Sequence, residues 1–140
     1  MTEETSRLTV KERGYAGHFC CSAWCRYTRN TLISDRNNHI IVSSVGNYHL
    51  PRGEDTPMGT IGNNRLYETM VFLGKEKDGY IDIVVKEQIY ISDSLPWSIE
   101  GRSEKDLPEN VDNIMDIQHN NIVEWVKKNF YTLKPMSRSK

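Results

Sequence analysis

The sequence has no long apolar run and almost no net charge. None of its hydrophobic stretches approaches the roughly 18 residues that a membrane span requires. Its 18 Lys and Arg residues are balanced by 19 Asp and Glu residues, for a net charge of −1. That balance argues against a protein that coats DNA, RNA or an anionic membrane. We therefore expect no nucleic-acid or membrane partner, and any anion site must be local.

Cysteine is scarce and unevenly placed. All three cysteines lie between Cys20 and Cys25, whereas a disulfide framework would spread them, so we expect a reducing cytoplasm. With His18 they lack the second, distant pair that structural zinc sites use. Adjacent Cys20 and Cys21 would also point to opposite faces of a strand. We interpret the cysteines as small buried hydrophobes and predict no metal and no cofactor.

A complete catalytic motif is also missing. A cysteine–histidine nucleophile is possible in principle, but the residues around the cysteines do not resemble those of known cysteine proteases. Cleavage of a nucleotide usually needs paired histidines in His-x-Thr form or a metal cluster, and the sequence has neither. We therefore predict a protein that binds its ligand and is not an enzyme.

The segment 12–33 carries a mixture that no ordinary core element needs. Its 22 positions hold two glycines, three cysteines, four aromatics, three arginines and one histidine. Arginines offer forked donors to phosphates, and aromatics offer flat faces to bases. The mixture indicates recognition of a small anionic, nucleotide-like molecule. Within it, Arg26 and Arg29 beside Tyr27 are either phosphate contacts or a solvated strand face, and the two interpretations stay open.

A second candidate group follows the glycine- and asparagine-rich segment 62–64. Arg65 and Tyr67 are two residues apart on a predicted strand, so we expect them on one face. Arg65 would hold a diphosphate and Tyr67 would pack on a base or ribose. The alternative is a surface ion pair between Arg65 and Glu68, worth little. Trp97 is either a stacking platform or an aromatic that seals the helical layer.

Hydrophobic patterning predicts strands first and helix last. Strands are expected over 7–12, 26–33, 40–45, 66–73 and 80–91, with a turn at 35–38, a hairpin turn at 75–79, and long loops over 47–64 and 95–105. Asp106 and Glu109 have capping-box spacing. After them, apolar residues recur at helical spacing: Val111, Ile114, Met115, Gln118, Ile122, Trp125, Val126 and Phe130. The asparagines at 120–121 leave one helix or two open.

These patterns predict a single α+β domain over residues 1–140. An antiparallel sheet spans about 7–91 and a helical part spans about 107–132. The apolar helical stripe is long for a small domain, and one sheet face would not cover it. We therefore expect a homo-oligomer, a dimer or higher, because closed two-fold pairing is the commonest way to cover such a stripe.

Several runs of the chain resemble a known family. They are Gly17-His18-Phe19, the Cys21 and Cys25 pair, Arg29-Asn30-Thr31-Leu32, the run 41–46, Ile61-Gly62 with the run 64–70, and, less tightly, the run 87–90 and Pro96-Trp97. Together they are similar to the Thoeris anti-defence family of phage proteins, which sequester the signalling molecule made by TIR-domain enzymes. The likeness covers roughly residues 10 to 97, and the helical part matches only in pattern.

The resemblance implies an α+β protomer that assembles at least into dimers in the host bacterial cytoplasm. It implies binding of glycocyclic ADP-ribose without hydrolysis, and some relatives also bind cyclic oligonucleotides at a second site. Two alternatives stay open: an enzyme that degrades a cyclic nucleotide signal, and an inhibitor that binds a host defence protein directly.

The resemblance also implies roles for residues. Arg65 would hold the diphosphate. Ile91 stands where an aromatic is expected, which leaves base packing to Tyr90 or Trp97. The remaining roles are ribose contacts from Asn110 and Asp112, a cation from Lys127 or Lys128, and a second nucleotide site built from Gly17, His18, Arg26 and Arg29. Thr28 and Ala23 depart from the arginine and the acidic residue expected near that second site.

Overall fold

The β-branched and aromatic segments of the chain pair into one antiparallel sheet. The computed structural model describes residues 7–14, 18, 24–49, 58–62 and 64–135. Within them the strands are β1 Thr9–Arg13, β2 Cys25–Ser34, β3 His39–His49, β4 Met58–Gly59, β5 Arg65–Lys77, β6 Tyr80–Ile89 and β7 Ser98–Glu100. The main order is β1-β2-β3-β5-β6, with β4 paired to β3 and β7 paired to β5.

The two predicted turns are confirmed. At the β2–β3 turn, one carboxylate oxygen of Asp35 accepts the backbone N–H groups of Asn37 and Asn38 at 2.9 and 2.7 Å. At the β5–β6 hairpin, Asp78 and Gly79 both have positive φ, 50° and 87°, as the tight turn requires. Short connections of this kind fix the register of long neighbouring strands.

Within the described residues, one unbroken α-helix, α1, spans Val111–Asn129. The predicted capping box is wrong. Asp106 belongs instead to a short 3₁₀ turn, Glu104–Asp106, where its carboxylate accepts the backbone N–H groups of Arg102 and Ser103. Asn110, in the left-handed region at φ 56° and ψ 38°, then redirects the chain. The helix therefore begins at Val111.

Helix α1 packs across one face of the sheet. Tyr67, Thr69 and Val71 face it, as the alternation in β5 predicts, and each is fully buried. The main core cluster joins sheet and helix residues: Ile33, Ile40, Val42, Val71, Ile89, Ile122, Val123, Val126 and Phe130. The sheet thus covers much of the apolar stripe that we expected to need a second copy. The homo-oligomer stays a prediction.

The short strands β4 and β7 lie inside segments predicted as loops. Strand β7 has only three residues, too few for a period-2 pattern to be visible. It pairs with the start of β5, which brings the preceding Trp97 against β5. In the part of the chain that the structure describes, no helix is both long enough and apolar enough to cross a bilayer.

Candidate functional site

Arg65 is re-aimed by an irregularity at the start of β5. The pairing of β5 with β7 shifts by one residue between Arg65 and Tyr67, and a bulge of this kind turns a side chain away from its regular face. The Arg65 Nε donates to a carboxylate oxygen of Glu68 at 2.7 Å. Arg65 therefore shares a side with Glu68, and the prediction that Arg65 and Tyr67 lie on one face is wrong.

Glu68 links Arg65 to His18. Its second carboxylate oxygen lies 2.6 Å from the His18 Nε2. Burial alone would raise the pKa of Glu68, but the hydrogen bonds from His18 and Arg65 hold it below its usual value. Since the Glu68 side chain is only 4% exposed, this is not the weak surface pair that we considered as the alternative. It is a buried carboxylate that fixes the Arg65 guanidinium.

His18 is itself held from β3. The Ser43 hydroxyl lies 2.8 Å from the His18 Nδ1 and accepts the His18 backbone N–H at 3.0 Å. The imidazole also lies against the Phe72 ring, with centroids 5.5 Å apart. His18 was predicted in a second nucleotide site. The structure instead brings it, through Glu68, next to Arg65.

Trp97 is the other neighbour of Arg65. The Arg65 guanidinium carbon lies 5.3 Å from the centroid of the Trp97 ring, within the range of a cation–π contact. The Trp97 carbonyl accepts the backbone N–H of Thr69 at 2.7 Å. The ring also packs against the main core cluster. Trp97 thus seals the core with part of its surface and contacts Arg65 with another.

A cleft of about 230 Å³ opens beside Trp97. Its lining residues come from β5, the end of β6 and the following loop: Thr69, Met70, Gln88, Tyr90, Ile91, Asp93 and Trp97. Three predicted ligand-binding residues, Tyr90, Ile91 and Trp97, therefore share one concave surface. Tyr90 is 66% exposed, so its ring is available to a ligand.

Tyr67 does not belong to this surface. Its side chain is fully buried beneath α1, and its hydroxyl donates to the Asp112 carboxylate at 2.8 Å. Burial and the neighbouring Asp112 charge both raise the pKa of Tyr67. The prediction that Tyr67 packs on a base or ribose is wrong, because odd-numbered residues of β5 face the helix at this point.

The predicted helical residues do not converge on one pocket. Asp112 is occupied by the Tyr67 hydroxyl, and Asn110 is exposed at the helix start. Lys127 lies 15 positions beyond Asp112 on the same helix, which is about 22 Å along the axis. Its ammonium pairs with Glu124 at 3.1 Å. Within one chain, Asp112 and Lys127 are therefore too far apart to contact the same small ligand.

The second predicted site is not assembled either. Gly17 lies outside the described residues. Arg26 and Arg29 are three positions apart on the continuous ladder of β2 and β3, so they point to opposite faces. Arg29 donates to Glu12 at 3.0 Å and to Asn120 at 2.9 Å. The two arginines therefore do not form one phosphate site, and Arg26 is exposed.

No sequence pattern indicated the buried polar network that lies under the helix. The His119 imidazole is fully buried. It lies 2.6 Å from the Ser44 hydroxyl and 2.7 Å from the Thr31 hydroxyl. Burial, assisted by the nearby Arg29 charge, lowers the pKa of His119 to about 4. The imidazole is therefore neutral at neutral pH, and it is closed off from any ligand.

The described residues contain no cluster of three His, Cys, Asp or Glu side chains that could hold a metal ion. The half-buried Cys25 side chain packs beside Val45, Tyr48 and Ile61. Cys20 and Cys21 lie outside the described residues, so the interpretation of them as buried hydrophobes stays a prediction.

Comparisons with protein-family models, with characterised proteins and with solved structures give no match to this chain. The likeness to the Thoeris anti-defence family therefore rests on the sequence runs themselves.

Proposed function

We propose that this protein binds a cyclic ADP-ribose type of signalling nucleotide at the cleft beside Trp97 and at the neighbouring Arg65 guanidinium, and leaves it chemically intact. By sequestering the signal, it would inhibit a bacterial TIR-based anti-phage defence in the host cytoplasm. The observation that carries the proposal is the Arg65 guanidinium, fixed by Glu68 over the Trp97 ring, beside a cleft lined by Tyr90 and Ile91.

The chemistry of the cleft suits such a ligand. The Arg65 Nε is committed to Glu68, which leaves the donors on its two Nη atoms for a diphosphate. Because Glu68 and Trp97 hold the guanidinium in place, little side-chain entropy is lost when an anion binds. Trp97 and Tyr90 offer flat faces to a base. Ile91 contributes an apolar wall and takes no part in stacking.

The size of the cleft limits what one chain can hold. Its volume of about 230 Å³ is below the roughly 300 Å³ at which most small-molecule sites begin. We infer that one chain accommodates a base or ribose, with the diphosphate outside the cleft at Arg65. A second copy of the chain would supply the missing wall, in keeping with the dimer that the resemblance implies.

Recovery of the ligand separates binding from catalysis. The purified protein is incubated with glycocyclic ADP-ribose, the complex is isolated by gel filtration, and the protein is heat-denatured. Mass spectrometry of the supernatant should then return the cyclic nucleotide at its original mass and in one-to-one ratio with the chain. A ring-opened product would show an enzyme instead. No retained nucleotide, with capture of a host defence protein, would support a protein-binding inhibitor.

A further inference from the structure

Asp93 carries an unpaired carboxylate into the lining of the cleft beside Trp97. The polar side chains among the described lining residues are Thr69, Gln88 and Asp93. The Thr69 hydroxyl is already committed, since it lies 2.5 Å from the Ser44 hydroxyl. Within the part of the chain that the structure describes, the Asp93 carboxylate has no hydrogen-bond or ion-pair partner. It is therefore available to a ligand, although no sequence pattern singled it out.

The Asp93 carboxylate is not needed to build its own turn. The Ser92 carbonyl accepts the backbone N–H of Leu95 at 2.9 Å, which places Asp93 at the second position of a four-residue turn. An aspartate in a turn commonly accepts nearby backbone N–H groups, as Asp35 does at the β2–β3 turn. Here the Ser92 hydroxyl takes that part and accepts the backbone N–H of Ser94 at 3.4 Å. The turn therefore forms without the Asp93 carboxylate.

Core packing fixes this turn at both ends. Ile91 before the turn, Leu95 at its end and Trp97 shortly after it all pack against the main core cluster. Asp93, between these anchors, is exposed. A short, anchored segment therefore holds the carboxylate at the rim of the cleft, so little backbone entropy is lost when it binds a ligand.

The charge of the cleft favours a sugar over a phosphate as the partner of Asp93. None of the described lining residues is a lysine, arginine or histidine. A carboxylate only accepts hydrogen bonds, and it repels phosphate, so it suits a group that donates. Ribose has hydroxyl donors on neighbouring carbons, and an acidic side chain holds ribose hydroxyls in dinucleotide sites. The phosphates of such a ligand would lie outside the cleft, at Arg65.

We propose that Asp93 is a specificity-determining residue that accepts the hydroxyl groups of a ribose. Through this contact the cleft selects ribonucleosides over ligands that lack those hydroxyls. The inference rests on the proposed function, which supplies the identity of the ligand, and it assigns the ribose within that ligand. Asp93 thus takes the role expected of Asp112, whose carboxylate is occupied by the Tyr67 hydroxyl.

Calorimetric titration with glycocyclic ADP-ribose gives a result whose sign decides the question. If Asp93 contacts the ribose, Asp93→Asn should weaken binding by about tenfold, because a charged hydrogen bond is lost. If Asp93 makes no contact, removing its charge should strengthen the binding of this anionic ligand, because a nearby repulsion is relieved. Asp82→Asn is the matched control, since Asp82 is exposed on β6 and does not line the cleft. Thermal melting of each variant shows whether it is folded.

Two uncharged nucleosides test the same contact without the phosphates. In a titration followed by NMR, adenosine should shift the Trp97 indole N–H resonance of the wild-type protein. The analogue 2′,3′-dideoxyadenosine, which lacks both ribose hydroxyls, should bind about tenfold more weakly. In Asp93→Ala the two nucleosides should bind equally.

The outcomes separate this proposal from the proposed function. Equal affinities of the two nucleosides for the wild type, or no detectable adenosine binding at millimolar concentration, would overturn the ribose contact. If the wild type binds no glycocyclic ADP-ribose but prefers adenosine through Asp93, the proposed function fails and the ribose contact stands. If Arg65→Ala loses glycocyclic ADP-ribose while Asp93→Asn binds it as tightly as the wild type or more tightly, the proposed function stands and the ribose contact fails.

Discussion

Replacing His119 with glutamine should remove most of the stability loss of the fold between pH 7 and pH 5. The imidazole is fully buried, with hydroxyl partners on both ring nitrogens, and its pKa is lowered to about 4 from 6.5. Between those two pH values His119 is protonated in the unfolded chain but neutral in the folded chain. The free energy of unfolding is therefore highest above pH 6.5 and falls as the pH drops toward 4.

The size of the effect follows from linkage. Each pH unit inside the window costs about 1.4 kcal/mol, so the wild type should lose about 2 kcal/mol between pH 7 and pH 5. Glu12 and Glu68 also have lowered pKa values, but from an ordinary value of 4.5. The stabilisation that these two carboxylates contribute is lost at lower pH, so it does not mask the loss due to His119. At pH 7, His119→Gln itself should cost about 1–3 kcal/mol, since two buried hydroxyls lose part of their hydrogen bonding.

Urea denaturation, followed by tryptophan fluorescence at pH 7, 6 and 5, measures this difference. The free energy of unfolding of His119→Gln should change little over that range, whereas the wild type should lose about 2 kcal/mol. His49→Gln is the control, because His49 is only half-buried, at the end of β3, and the variant should keep the wild-type slope. If His119→Gln has the same pH slope as the wild type, the buried neutral imidazole is not the cause.

Two other substitutions test the core and the Arg65 support. Gly46→Ala should destabilise the fold by about 3 kcal/mol, because a Cβ there would overlap the fixed Tyr67 ring. Gly14→Ala is the control, since a Cβ at Gly14 meets nothing within 4 Å. Equal melting temperatures for the two variants would contradict the packing of Tyr67 on Gly46. Glu68→Gln should lower the free energy of unfolding by about 3 kcal/mol at pH 7, because it leaves Arg65 without its buried carboxylate partner. Urea denaturation measures this loss, with Glu100→Gln at an exposed position as the control. Similar losses in the two variants would mean that the Arg65–Glu68 pair is weak.

Periodicity predicted the elements well where one face of a strand or helix is buried. The alternation in β5 placed Tyr67, Thr69 and Val71 on one side, and they do face the helix. The α+β order of strands and then helix is confirmed. Periodicity did not predict the features that depend on irregular backbone conformation. The start of α1 depends on the left-handed Asn110, and the side to which Arg65 points depends on a one-residue register shift. Neither feature has a hydrophobic pattern.

Long-range polar partners were not visible in the sequence. His119 occupies a polar position within an apolar helical stripe, and its partners Thr31 and Ser44 come from β2 and β3. Likewise Glu68 meets His18 from 50 positions away. Tyr90 and Ile91 were anticipated only through the family resemblance, and Trp97 was also considered as a stacking platform.

The most direct test of the proposed function is the affinity of Arg65 variants for glycocyclic ADP-ribose, measured by calorimetry. A desolvated charged contact contributes on the order of 2–5 kcal/mol, so Arg65→Ala should weaken binding by far more than tenfold. Arg65→Lys keeps a cation beside Glu68 but loses the forked donors and the planar stacking on Trp97, so it should remain folded and still bind weakly. Arg102→Ala should bind like the wild type. Unchanged affinity in Arg65→Ala and Arg65→Lys would contradict the assignment of the ligand to Arg65 and the cleft beside Trp97.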